Sequence, residues 1–175
     1  MSIIKPNNNT ISAITALPAS ITTGKVLQVV STTTTAVSSI NSNSDTTTNV
    51  TNLNVSITPS STSNKIFLIA SVFYGLDDDT YGSLCSVAFA RGSTAIGQGS
   101  ESAASGTVVG IGYTGTNNHV TVPIQFLDSP STTSATTYHV VCRNHVGGNK
   151  TFYVNGRKNG TQRGASTITA YEIAG

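Results

Sequence analysis

Short runs of β-branched and aromatic residues recur along the chain, and turn-forming residues separate them. The clearest alternation covers residues 53–57, where Leu53, Val55 and Ile57 take turns with polar neighbours. Apolar residues at every second position line one face of a strand, because successive side chains of a strand point to opposite faces. Similar runs return at intervals of about 8–20 residues, which is typical of an antiparallel sandwich or barrel. The sequence therefore predicts an all-β fold.

The strongest apolar segment covers residues 65–74 and is apolar on both of its faces. A helix is the alternative for such a segment, but its β-branched and aromatic residues favour a strand. We therefore expect a central strand that is covered on both sides. Pro123 interrupts another alternating run, and a proline cannot donate a ladder hydrogen bond, which predicts an edge strand or a bulge. Counting the remaining runs gives about 8–10 strands in a jelly-roll-like sandwich, with turns at residues 91–94 and 155–156.

The polar residues of this chain are mostly uncharged. The sequence contains 23 Ser, 28 Thr and 15 Asn among 175 residues, whereas charged residues make up only 9%. This composition is unlike that of a helical bundle or a coiled coil. It fits strands with one apolar face and one hydrated Ser/Thr face. The polar stretch 32–48 is either a loop or a solvent-facing strand of this kind.

Charge and hydropathy argue against two classes of partner. A net charge of +2 provides no strong field for nucleic acid. No run of ~18 apolar residues is present, so we expect no membrane insertion. The first residues lack the apolar stretch of a signal peptide, so we expect the protein to be made and kept in a cytoplasm.

Residues 1–23 form a segment of different character, with Pro6 and Pro18 bracketing scattered apolar residues. These apolar residues are too few to bury one another, so the segment needs another surface to order it. We predict an extended docking arm over residues 1–23 and a β domain over residues 24–175; a floppy terminus is the alternative. The predicted docking residues are Ile3, Ile4, Ile11, Ile14 and Leu17.

The cysteines and the acidic cluster have ordinary explanations. Cys85 and Cys142 lie in strand-like runs and are expected to be buried free thiols; a bridge would require neighbouring strands. Asp77, Asp78 and Asp79 supply oxygen atoms that suit Ca²⁺, but adjacent residues of an extended chain point apart. A solvated loop is therefore the favoured interpretation of the acidic cluster, and no metal or cofactor site is predicted.

No catalytic constellation stands out among the remaining polar residues. His139 and His145 would lie ~20 Å apart on an extended strand, which is too far for one metal ion. His119 and Asp128 could join a triad only through a free choice among 23 serines. We therefore predict no catalytic residues and no enzymatic activity.

A Gly/Asn-rich loop near the C-terminus carries Arg157, Lys158 and Arg163. One interpretation is contact with an anionic surface or with host-surface glycans, and the other is a hairpin tip in solvent. The six tyrosines present the same choice, because their rings either stack on sugars or serve the core or a subunit interface.

Four stretches, in this order, carry a resemblance to a known family: residues 24–30 (GKVLQVV), 56–66 (SITPSSTSNKI), 91–97 (RGSTAIG) and 166–175 (STITAYEIAG). The chain resembles small tail-fibre-like or decoration-like virion structural proteins of tailed bacteriophages from aquatic bacteria. The resemblance covers about residues 24–175. It implies a jelly-roll-like β-sandwich that forms homotrimers, and it implies no catalytic residue set. The basic insert at residues 155–164 is longer than this family leads us to expect.

The resemblance implies a surface-exposed structural protein of the virion, assembled in the host bacterial cytoplasm. The arm would then bind another virion protein, either the major capsid protein or a tail or baseplate protein. A compact domain without heptads or a β-helical shaft favours a capsid decoration or cement protein. The alternative is a tail or baseplate fibre that acts as a receptor-binding adhesin for host-surface glycans.

Overall fold

The computed structural model describes residues 24–42, 47–76, 83–98, 109–113, 119–144, 150–156 and 161–175, and within these ranges the chain forms strands and no helix. The prediction of an all-β, jelly-roll-like sandwich is confirmed. In chain order the strands are β1 (Val26–Thr34), β2 (Ser38–Ser42), β3 (Thr47–Ile57), β4 (Lys65–Leu76), β5 (Ser83–Arg91), β6 (Thr94–Ile96), β7 (Val109–Tyr113), β8 (His119–Asp128), β9 (Thr136–Asn144), β10 (Lys150–Val154) and β11 (Ser166–Ile173).

The strands pair antiparallel in two sheets. Sheet A is built around β4, with β8 along one edge of that strand and β11 followed by β10 along the other edge. Beyond these, β1 pairs with β11 and β2 pairs with β10. Sheet B has the order β3-β9-β5, and both β6 and β7 pair with the far edge of β5. Every pairing between neighbours therefore joins segments that run in opposite directions, as the alternating pattern predicts.

The predicted central strand over residues 65–74 is confirmed as β4. The prediction that both faces of this strand are buried is wrong for one face within the single chain. The inner face of β4 is buried against sheet B and includes Leu68, which is 0% exposed. On the outer face Ile69 is 37% exposed, and Phe67 and Phe73 are only partly buried. Within a single chain, the apolar residues on the second face of β4 are therefore only partly covered.

The core fills the space between the two sheets. Its largest fully buried side chains come from both sheets, and they include Tyr74 and Phe152 from sheet A and Phe89, Leu53 and Tyr138 from sheet B. The inward residues of β11, such as Ile168 and Ala170, extend the same core along the centre of sheet A. Within the described ranges, the chain has no helix that is long and apolar enough to cross a membrane.

The structure has eleven strands in the described ranges, slightly more than the predicted 8–10. Part of the polar stretch 32–48 forms strand and not loop, since β1 continues through Thr34 and β2 covers Ser38–Ser42. The backbone of β1 pairs there with the start of β11, as between Thr34 and Ser166. Threonine supports this extension because it has β propensity and tolerates water.

The predicted turns and the predicted edge strand are confirmed. Gly92 has φ 59° in the tight turn between β5 and β6, and Asn155 has φ 59° directly after β10. Positive φ angles favour glycine and, next, asparagine, which explains these residue types. Pro123 lies in β8, opposite Ser71, and β8 pairs with β4 alone among the described strands. The proline thus occupies an edge, where one missing donor is tolerated.

Truncation of the core should test the packing between the sheets. We expect Leu68→Ala to lower the free energy of unfolding by about 2–5 kcal/mol, because it removes buried methyl groups and leaves a cavity. Val37→Ala, at a residue that is 43% exposed, is the matched control and should change it by less than about 0.5 kcal/mol. Urea denaturation of both variants measures the difference, and equal losses would contradict this core.

Candidate functional site

Most of the residues that the sequence singled out lie outside the described ranges. This is true of the predicted docking residues Ile3, Ile4, Ile11, Ile14 and Leu17, of Arg157 and Lys158, of the acidic cluster Asp77 to Asp79, and of His145. Their roles remain predictions from the sequence. Arg163 is described and exposed, just ahead of β11, and its guanidinium donates a hydrogen bond of 3.0 Å to the carbonyl of Gln162.

The structure does not bring His119 and Asp128 together. They lie at opposite ends of β8, ~30 Å apart along an extended strand of ten residues. The ring of His119 lies 5.0 Å from the ring of Phe73. Cys142 is buried, as predicted, and its Sγ donates a hydrogen bond of 3.5 Å to the carbonyl of Thr48. Across the described residues, no group of three or more His, Cys, Asp or Glu side chains is arranged to hold a metal ion.

Asp128 instead joins the ends of three strands. It is 6% exposed and accepts hydrogen bonds from the Arg91 guanidinium at 3.0 and 3.2 Å and from the Tyr138 hydroxyl at 2.7 Å. Burial raises the pKa of the Tyr138 phenol, and the hydrogen bond and charge of Asp128 raise it further. Tyr138 therefore stays protonated and keeps donating to Asp128. This contact ties β8 of sheet A to β5 and β9 of sheet B.

A second buried carboxylate, Glu172 of β11, organises the opposite edge of sheet A and was not predicted from the sequence. It is 1% exposed and accepts hydrogen bonds from Gln28 Nε2 at 2.6 Å, Asn64 Nδ2 at 2.6 Å, and Ser60 N and Oγ at 2.6 and 2.8 Å. Asn64 Oδ1 also accepts the backbone N–H of Gly175 at 3.1 Å. One carboxylate thus holds β1, the β3–β4 connection and the end of the chain.

The pKa of Glu172 reflects two opposing effects. Burial raises the pKa, because it disfavours the charged form. The hydrogen bonds from Gln28, Asn64 and Ser60 favour the charged form and outweigh burial, so that the pKa falls from 4.5 to about 2. Glu172 is therefore a structural anion and not a proton donor at neutral pH.

Acidification should weaken the fold through Glu172. Because its pKa is lower in the folded chain than in the unfolded chain, the unfolded chain binds the proton more tightly, and the free energy of unfolding should fall as the pH drops from 4.5 towards 2. Glu172→Gln should destabilise the protein at pH 7 by about 2–3 kcal/mol, since an amide nitrogen replaces one acceptor. The variant should also lose part of the acid dependence between those values. Denaturant titrations from pH 7 to pH 2.5 measure both effects, and a parallel pH profile in the two proteins would contradict this role.

Asn155 forms a further buried junction at the other end of sheet A. It is 0% exposed, and its Nδ2 donates to the carbonyls of Thr34 at 2.9 Å and Ala36 at 3.1 Å. Its Oδ1 accepts the hydroxyl of Ser166 at 2.7 Å, and its backbone N–H donates to Phe73 O at 2.9 Å. The predicted turn residue therefore also links β1, β4, β10 and β11.

Two substitutions at Asn155 should separate its hydrogen bonds from its backbone angle. Asn155→Gly removes the side-chain hydrogen bonds but tolerates φ 59°, and it should cost about 1–3 kcal/mol of unfolding free energy. Asn155→Ala removes the same hydrogen bonds and adds the strain of a left-handed alanine, so it should cost about 1 kcal/mol more. Thermal unfolding of both variants provides the measurement, and wild-type stability in either variant would contradict this assignment.

Asp128, Glu172 and Asn155 all use their side chains in hydrogen bonds within the fold. The outer surfaces of the two sheets are therefore the candidate binding sites. Sheet B has a hollow of about 400 Å³ on its outer face, lined by Thr47, Thr48, Asn49, Ala90, Ser93 and Val141. Ala90 and Val141 belong to a small buried cluster separate from the main core. Hydroxyl and amide groups above an apolar floor form a surface on which a sugar ring could be held.

Sheet A has an exposed apolar surface on its outer side. The register aligns twelve outward residues of β1, β11, β4 and β8 in three rows of four, and we call these residues the open face. The rows are Val29–Tyr171–Phe67–Leu127, Ser31–Thr169–Ile69–Gln125 and Thr33–Thr167–Ser71–Pro123.

The first row of the open face is apolar or aromatic from one edge to the other. Val29 and Leu127, at its two ends, are each 53% exposed. Between them the rings of Phe67 and Tyr171 lie 6.3 Å apart in a tilted contact. Exposed apolar patches of this kind mark interaction surfaces in soluble proteins. The sequence carried one signal of this surface, the apolar residues on both faces of the 65–74 segment.

Some of the tyrosines serve the core, which is one of the two roles predicted for them from the sequence. Tyr74 and Tyr138 are 2% and 0% exposed and belong to the core, whereas Tyr171 is partly exposed on the open face.

No protein-family model and no curated protein matches this chain. Among solved structures, the chain is similar to a mutant VP2 protein of infectious bursal disease virus in derived T=1 particles, with a TM-score of 0.39 and 12% identity. The similarity covers 83% of this chain but only 36% of the VP2 chain, so this chain spans about a third of its length.

Proposed function

We propose that this chain is a non-enzymatic structural protein of a bacteriophage virion, a homotrimeric β-sandwich on the particle surface. The observation that carries the proposal is the open face of sheet A. A row of apolar side chains crosses four strands of a domain whose surface is otherwise rich in Ser, Thr and Asn. A domain with such a surface is built to associate with other subunits. The resemblance of four sequence stretches to phage virion proteins supplies the class of assembly.

Residues 1–23 attach the domain to the particle in this proposal. The arm precedes β1 in sequence, and β1 is an edge strand of sheet A among the described strands. Burial of Ile3, Ile4, Ile11, Ile14 and Leu17 on a capsid protein would contribute several kcal/mol per chain, at ~25 cal/mol per Å² of apolar surface, before ordering costs. Three arms on one trimer would strengthen attachment through avidity.

The compact domain favours a capsid decoration or cement protein. An arm of 23 residues reaches at most ~80 Å, so the domain would stay close to the surface that anchors it. The alternative, a tail or baseplate adhesin that recognises host-surface glycans, is supported by the polar hollow on sheet B. In that case Asn49 and Ser93 would donate and accept hydrogen bonds with a sugar. Arg163, which lies ahead of β11 of sheet A, would contact anionic groups away from this hollow.

The arm can be tested by sedimentation with purified heads and purified tails of the phage that encodes this chain. We expect the wild-type chain to sediment with heads, and a full-length variant with serine in place of Ile3, Ile4, Ile11, Ile14 and Leu17 to remain unbound. Val37→Ser is the matched control, because it removes an exposed apolar side chain outside the arm. Circular dichroism should show the same strand content in all three proteins.

Other outcomes would contradict the decoration proposal. Sedimentation of the wild-type chain with tails alone would favour the adhesin. Binding of the five-site arm variant to heads at the wild-type level would remove the anchoring role of residues 1–23. Glycan-array binding that is lost in Asn49→Ala, without loss of fold, would identify the hollow on sheet B as a sugar site.

A further inference from the structure

Residues 155 and 156 form an Asn-Gly dipeptide, and the fold gives a separate reason for each of its two residues. The backbone of Asn155 has φ 59°, a region in which asparagine is more readily accommodated than most other residues with a side chain. Its Nδ2 donates to the carbonyls of Thr34 and Ala36, a role that glycine, alanine and ionised aspartate cannot fill. At Gly156 a Cβ would lie 2.8 Å from Val37 Cγ1 and 3.1 Å from its Cγ2. The packing of Val37 therefore favours glycine directly after this asparagine.

An Asn-Gly dipeptide is chemically labile in a chain that is free to move. The backbone nitrogen after an asparagine can attack the side-chain Cγ, and glycine hinders this attack least because it has no Cβ. Here Gly156 N loses its proton to a base in the solvent and forms a bond with Asn155 Cγ. The Cγ–Nδ2 bond breaks, and Nδ2 takes up a proton and leaves as ammonia, so that a five-membered imide remains. Water then adds to one imide carbonyl and breaks one C–N bond, which leaves aspartate or isoaspartate at position 155.

The folded chain keeps the reacting groups apart from base and water. Asn155 is 0% exposed, and Gly156 is buried as well. Asn155 Nδ2 lies 2.9 and 3.1 Å from two carbonyl oxygens, which cannot supply the proton with which ammonia leaves. The Ser166 hydroxyl, 2.7 Å from Oδ1, would by itself favour negative charge on that oxygen. Protection therefore depends on the exclusion of base and on the hydrogen bonds of Nδ2, and the reaction requires the junction to open.

The product of the reaction does not fit the junction. In aspartate an oxygen replaces Nδ2 and faces the carbonyl oxygens of Thr34 and Ala36. No proton lies between these acceptors, and the buried charge has no partner there. Isoaspartate lengthens the backbone by one methylene group at a residue whose N–H donates to Phe73 O at 2.9 Å and whose carbonyl accepts Gly164 N at 3.3 Å. A chain that has reacted at Asn155 therefore cannot rebuild this junction.

We propose that Asn155 and Gly156 form a deamidation site whose reaction is controlled by the fold. The dipeptide stays intact in the folded chain and loses ammonia when the junction opens, and the modification then prevents the reacted chain from regaining the native fold. The modification thus distinguishes chains that fold promptly from chains that stay unfolded. It depends on the junction alone, so it stands or falls independently of the proposed virion function.

Peptide mapping of the full-length chain tests the first step. One sample is incubated in native buffer and the other in enough urea to unfold it, at the same slightly alkaline pH. Trypsin cleaves after Arg157 and Lys158, which places Asn155 and Asn159 in separate peptides. Both asparagines precede glycine, so they should react at similar rates in urea, and Asn159 is the internal reference there. In native buffer Asn155 should react at least about tenfold more slowly than in urea, because only chains with an open junction react. Equal rates at Asn155 in the two samples would overturn the proposal.

Refolding tests the second step. After partial reaction in urea the wild-type chain is diluted into buffer, and its native fraction is isolated by gel filtration. Chains that have reacted at Asn155 should be depleted from that fraction by at least about tenfold, since their carboxylate would be buried without a partner. Equal proportions of reacted chains before and after refolding would overturn the proposal.

Two single variants separate the effect of the carboxylate from the loss of the amide. Asn155→Asp reproduces one product, whereas Asn155→Gly removes the side chain without adding a charge. The unfolding equilibrium constant of Asn155→Asp at pH 7 should exceed that of Asn155→Gly by at least about tenfold. Equal stability of the two variants would contradict the proposal, and denaturant titration provides the measurement.

A double variant removes the lability and keeps the fold. Gly156→Ala alone should be destabilised by contact with Val37, whereas Val37→Ala/Gly156→Ala should recover stability because the methyl groups that a Cβ would meet are gone. The φ of Gly156 is not positive, so alanine adds no backbone strain. In urea the added Cβ hinders ring closure, and the double variant should deamidate at Asn155 several-fold more slowly than the wild type.

The same double variant shows whether this reaction limits refolding. After long incubation in urea it should yield more native protein on dilution than the wild type, while Asn159 reacts in both proteins and provides the matched reference. Equal loss of refolding in the two proteins would mean that another reaction limits recovery, and would overturn the proposal.

Discussion

Backbone hydrogen bonds from β4 to β8, β10 and β11 hold sheet A together. The side chains of β4 pack against sheet B on one face and form part of the open face on the other. One face of β4 carries Leu68, Val72 and other core residues against sheet B. The other face carries Phe67 and Ile69 towards solvent. Since side chains alternate along a strand, one segment supplies both the core of the subunit and its open face.

Few charges are available to this fold, and the buried ones have structural partners. Glu172 receives hydrogen bonds from three residues, and Asp128 receives them from Arg91 and Tyr138. Asn155 plays the same part without a charge. Buried polar groups of this kind stabilise a fold only when they are satisfied, and they then specify one arrangement of strands.

The open face and the arm would serve different steps of one assembly. The face would join identical subunits through apolar contacts along the strands, whereas the arm would join the finished trimer to another virion protein. Multivalent attachment would need the arms of one oligomer to start near one another. The uncharged Ser/Thr surface of the remaining domain would face solvent, and the hollow on sheet B would lie on that side.

Local pattern determined much of this protein. Alternating apolar residues predicted the strands, the apolar 65–74 segment predicted the central strand, Pro123 predicted an edge, and Gly92 and Asn155 predicted turns. These features depend on backbone geometry and on neighbours in sequence, which a sequence displays directly. The strand partners, the Glu172 junction and the open face were decided only by the tertiary structure. Val29, Phe67, Leu127 and Tyr171 are distant along the chain, and only the register of long-range hydrogen bonds places them in one row.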